Sequence, residues 1–107
     1  MIHVVYYRSD IRLTVQGHAH SAEPGHDLVC AGVSALAYTL AANVFDMKDN
    51  RLLKDVIVKL EPGDAEICCI AKNRYKGIVG RIFQAVCVGF EMLAESNPEY
   101  ISYEIHS

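Results

Sequence analysis

With 107 residues, 51% of them hydrophobic and 21% charged, and a formal net charge of -3, the chain has the size and composition of one soluble globular domain (1–107) built round a single core. Ten Lys and Arg stand scattered singly against thirteen Asp and Glu, which argues against the basic stripe of a nucleic-acid footprint, so no direct nucleic-acid partner is expected. The opening MIHVVYY lacks the basic residues and cleavage site of a secretory signal. The longest apolar run, Val29 to Phe45, carries Ser34, Thr39 and Asn43 and falls short of a bilayer span, so the expectation is a cytoplasmic protein without a membrane partner.

The chain begins with strict alternation. Ile2, Val4 and Tyr6 share one face, and after RSD the residues Ile11, Leu13 and Val15 alternate with Arg12, Thr14 and Gln16, which predicts an antiparallel hairpin. A loop from Gly17 to Gly25 follows. Val29, Val33, Leu36, Leu40 and Val44 then recur with a helical period, predicting a core helix from about Asp27 to about Phe45. Beyond the polar DMKDNR, the segments DVIVKL and AEICCIAK flank EPGD, where Pro62 and Gly63 suit the central positions of a type II turn. GIVGRIFQAVCVGFEMLAES reads as a second helix with Ile78, Ile82, Val86 and Leu93 on its stripe and Phe83, Cys87 and Phe90 beside it, ended by Asn97-Pro98. A last strand is expected over Tyr100 to Ile105. The order β-β-α-β-β-α-β predicts an α+β domain with two helices packed on a mostly antiparallel sheet.

The chemistry-bearing residues crowd into one stretch, GHAHSAEPGHDLVCAG, residues 17 to 32. Asp27 is placed to cap the first helix, its carboxylate accepting from backbone N–H groups that lack helical partners. Cys30 then falls in the first turn, where those N–H groups and the helix dipole stabilise an anion. The thiolate is the reactive form, and the same N–H groups can receive the negative oxygen of a tetrahedral intermediate. A base is also needed, and His18 at the end of a strand can reach Cys30 if the loop folds back. Asp27 could orient His18 or only cap the helix.

Other readings stand beside this one. His18, His20, His26 and Cys30 are zinc ligands by type, but their spacing lacks the paired short hooks of structural zinc sites, and no metal or other cofactor is expected. Cysteine is among the most buried residue types, and Cys68, Cys69 and Cys87 read as core thiols, kept reduced rather than paired. Gly25 suits a backbone conformation that other residues resist, and Gly17 a sharp exit from the second strand. Ser34, one turn beyond Cys30, bonds within the helix or touches the site.

The motifs GHA and GHDLVCAGVSAL, with the cysteine twelve residues after the histidine, resemble the signature of the bacterial ribosomal-processing cysteine proteases, the Prp family. The resemblance implies that Cys30 is the nucleophile and His18 the base, with Asp27, Ser34, Gly17 and Gly25 in supporting positions. It implies as substrate the short N-terminal extension of a large-subunit ribosomal protein, cut after an aromatic residue. It also implies a homodimer and a mobile loop over residues 18 to 26 that orders on bound peptide. A non-catalytic ribosome-associated binding module with the same fold is the alternative.

Overall fold

The computed structural model describes residues 1–18 and 26–107. Strand β1 (Ile2–Tyr7) buries Ile2, Val4 and Tyr6 and leaves the intervening side chains on the outer face, the period of two that the sequence alternation predicts. A 3-10 turn at Arg8–Asp10 leads into β2 (Arg12–Gln16), antiparallel to β1 with Tyr6 opposite Leu13 and Val4 opposite Val15. After the first long helix, α1 (His26–Asp49), come β3 (Leu53–Glu61) and β4 (Asp64–Ala71), joined through Pro62-Gly63. Gly63 has φ +74°, the left-handed value that the third position of a type II turn demands and that glycine supplies without strain. The second helix, α2 (Lys76–Ser96), returns the chain to β5 (Ile101–His106), which pairs parallel with β1.

The strands lie in the order β3-β4-β2-β1-β5, with three antiparallel pairings and one parallel. The sheet is thus mostly antiparallel, and the element order is the expected one. Ile2, Val4, Tyr6, Leu13, Ile67 and Cys69 share one core with Val29, Leu40 and Val44 of α1 and Val79, Phe83 and Phe90 of α2. Tyr6 and Phe83 stack with their ring centroids 6.0 Å apart. On the outer face Arg12 and Glu66 lie diagonally across the β2–β4 pairing and bridge at 2.5 Å, which keeps a polar pair where the sheet meets solvent.

Three expectations shift. α1 begins at His26 and runs four residues past Phe45, so Asp27 lies inside the first turn and not at the cap. On α2 the fully buried stripe is Val79, Phe83, Cys87 and Phe90; Ile78 is exposed, and Ile82, Val86 and Leu93 are only partly covered. The sheet-facing stripe is therefore turned by one residue, because apolar residues also flank it where α2 meets α1. Both helices are long and apolar enough to cross a membrane by length and composition alone, contrary to the expectation for α1, yet the most buried residues of each belong to the one core they share with the sheet.

Candidate active site

The end of β2, the start of β1 and the tip of the β3–β4 hairpin meet at one end of the sheet. Register brings them together: His3 pairs with Gln16, Gln16 with Asp64, and Asp64 with Glu61 across the turn. His18, two residues past Gln16, is therefore delivered beside that turn. Its main chain is held from both sides, the Met1 nitrogen donating to the His18 carbonyl at 2.8 Å and the Gly17 N–H donating to the Gly63 carbonyl at 3.0 Å. Gly17 makes this turn with φ +104°, and a Cβ there would run into the Met1 carbonyl oxygen, so both the conformation and the close approach require glycine.

The other wall comes from α1. Cys30, Ser34 and Tyr38 are spaced by four residues and so share one face, with Val33 and Ala37 beside them. These side chains, His18, and the hairpin segment from Leu60 to Ala65 line a cavity of about 410 Å³ floored by Ile2 and Val15. That volume is in the range of peptide-side-chain and small-ligand pockets, roughly 300–1,000 Å³. An imidazole and a thiol lining one cavity are the pair that acyl transfer through a thioester needs: one to move the proton, one to form the covalent bond. Cys30 is half-buried, enough to be shielded on the helix side while its cavity side stays reachable.

Two acids stand on the rim, Glu61 and Asp64, and neither is a bare charge. Lys59 donates to Asp64 at 2.6 Å and approaches Glu61 at 4.0 Å, and its hydrogen bond holds the Asp64 carboxyl below the ordinary carboxylate value while the lysine is held above its own. The other three thiols lie away from this cavity: burial pushes Cys69 and Cys87 each up to about 11, and burial together with Glu66 raises Cys68.

The structure thus brings His18, Cys30, Ser34 and Gly17 to one cavity. Asp27 is exposed in the first turn of α1 and does not line it. With the helix starting at His26, Cys30 enters the second turn, where its own N–H already serves the helix ladder, so oxyanion donors from this helix end would have to come from the turn before it. Gly25, His20 and most of the loop 18–26 lie outside the described residues, and of the zinc set the cavity holds His18 and Cys30. The sequence marks the hairpin tip as a turn but not as part of the site, and does not single out Tyr38, although Tyr38 continues the four-residue spacing from Cys30 through Ser34.

Comparison with solved structures places this architecture among known ones. SMU.848 of Streptococcus mutans is 25% identical, with 98% of this chain and 91% of that one covered and a TM-score of 0.66. The ribosomal processing protease Prp of S. aureus, in complex with a substrate peptide and with a covalently linked product peptide, is 24% identical at TM-scores of 0.71 and 0.72, covering 98% of this chain and 99% of those. No significant match is found among the curated proteins. Residues 1–102, nearly the whole chain and with it every wall of the cavity, match the family model described as cysteine protease Prp, and the chain belongs to that family.

Proposed function

We propose that this protein is an endopeptidase of ribosome maturation which, in the cytoplasm and as a homodimer, removes a short N-terminal extension from a large-subunit ribosomal protein. What supports the reading is that His18 and Cys30 line one cavity in a chain of this protease family. The S. aureus relative, solved with substrate and product peptides, is named as a ribosomal processing protease, which favours a ribosomal precursor here too.

In this mechanism His18 takes the proton from the Cys30 Sγ as the sulfur attacks the scissile carbonyl carbon, whose π electrons move to oxygen. The tetrahedral intermediate collapses, the C–N bond breaks, and the protonated imidazole gives its proton to the departing amine. Water, deprotonated by His18, then attacks the thioester; the carboxylic acid leaves and the thiol is restored. The peptide lies extended across the hairpin end of the sheet. An aromatic side chain before the cut packs on the apolar wall of Val33, Ala37, Tyr38 and Leu60.

The test is Cys30→Ala assayed with a synthetic peptide spanning the extension and the mature start of the ribosomal protein from the same organism. Cleavage should fall below detection while thermal unfolding stays unchanged. A Cys30→Ala protein that still cuts overturns the assignment, and a wild-type protein that binds the peptide but never cuts it, even at high enzyme concentration, favours a binding role.

A further inference from the structure

We propose that Gly63, at the tip of the β3–β4 hairpin, is a positioning residue for the His18 imidazole: its bare Cα is the seat that lets the ring occupy its place in the cavity. The proposal rests on the reading of His18 as the base. A Cβ built on Gly63 would coincide with the His18 ring, meeting Nε2 and Cε1 and approaching Cδ2 to 2.9 Å. The same residue accepts the Gly17 N–H through its carbonyl at 3.0 Å, so the turn holds both the main chain leading into His18 and the ring itself. Lys59 and Asp64, bridged at 2.6 Å across the turn, brace the tip.

A bland explanation competes: Pro-Gly is simply what a type II turn requires at φ +74°. The two explanations separate on what an added side chain displaces. Its obstacle is not backbone but the far end of a rotatable side chain, so the hairpin can keep its shape while the ring swings away. The fold then survives and the base is lost. Asparagine makes the distinction, because it tolerates the left-handed region far better than other side chains and still carries a Cβ.

The experiment compares wild type, Gly63→Asn, His18→Ala and the double variant. The readouts are thermal unfolding, steady-state cleavage of the synthetic precursor peptide across pH, and the rate of Cys30 alkylation by iodoacetamide. Gly63→Asn is expected to melt within a few degrees of wild type, to lose at least tenfold in kcat with KM within twofold, and to show an alkylation–pH profile like that of His18→Ala. In the His18→Ala background the substitution should cost nothing further, since its effect runs through a ring no longer there. Wild-type kcat in Gly63→Asn with His18→Ala inactive overturns the positioning role alone; so does an equal slowing of alkylation with and without His18. Wild-type kcat in His18→Ala overturns the base assignment and this proposal with it. Should Gly63→Asn unfold, NMR on the wild type decides: a cross-relaxation peak between the His18 ring protons and the Gly63 Hα supports the seat, and its absence refutes it.

Discussion

A thiol reacts according to its protonation and its access, and access to the cavity sets one of the four cysteines apart. Cys69 and Cys87 are 4% and 0% exposed, and burial holds each near 11, so at neutral pH both are shielded thiols. Cys68 reaches the outer face but is also raised, by burial and by the neighbouring Glu66. Cys30 alone faces the cavity. Iodoacetamide at pH 7 is therefore expected to modify Cys30 at least tenfold faster than the others, as peptide mass spectrometry on partly labelled native protein will record; equal labelling of Cys68 would show that cavity access does not decide the order. Cys30 and His18 were legible in the sequence because their motif is contiguous and its spacing fixed. Gly63 was legible only as a turn residue. Its second contact depends on the register of three strands, 45 residues from His18, which no local spacing encodes.

Between elements, the two helices meet through reciprocal glycines. Gly32 of α1 faces Leu93 of α2, where an added Cβ would lie 3.2 Å from Cδ1, and Gly89 of α2 faces Leu36 of α1, where it would lie 2.7 Å from Cδ2. Glycine inside a helix is destabilising by about 1 kcal/mol against alanine, so a glycine kept there needs a packing reason, and the leucines provide it at these two positions. Gly80, also in α2, has nothing within 4 Å of its added Cβ. Gly80→Ala should then raise stability by up to about 1 kcal/mol, while Gly89→Ala, whose overpacking typically costs about 1–3 kcal/mol, should be neutral or destabilising. Urea titrations of the two variants check this, and Leu36→Ala added to Gly89→Ala should recover part of the loss. If Gly89→Ala stabilises as much as Gly80→Ala, the helices have room to spare. The same interface explains why the buried stripe of α2 was misread by one residue. Leu93 faces α1, and Ile82 and Val86 lie on the same helical stripe as Gly89 and Leu93; such residues carry the same periodic signal as those that face the sheet, and a linear pattern cannot rank two burying surfaces on one helix.

For the molecule as a whole, what the core holds determines how stability responds to pH. Cys69 on β4 and Cys87 on α2 bury ionisable thiols among Tyr6, Phe83 and Phe90, and their values move from the ordinary 9.0 to about 11; Tyr6 moves to about 12, mainly through burial. A raised value for a neutral acid means that the native state binds the proton more tightly than the unfolded chain does. The stabilisation is full below about pH 9, falls as the unfolded thiols ionise, and is lost by the time the native ones do, near pH 11. By pH 10.5 the loss is on the order of 2 kcal/mol for each thiol, a large share of the 5–15 kcal/mol that a small domain typically has. Urea midpoints under reducing conditions should therefore be flat from pH 7 to 8.5 and drop steeply by pH 10.5. Cys69→Ala/Cys87→Ala will start from a lower midpoint, because each substitution empties space in the core, but its midpoint should fall much less between the two pH values. A double variant that loses as much with rising pH as the wild type would place the titration elsewhere, in Tyr6 or in the surface lysines, and would separate the core thiols from the alkaline limit of this fold.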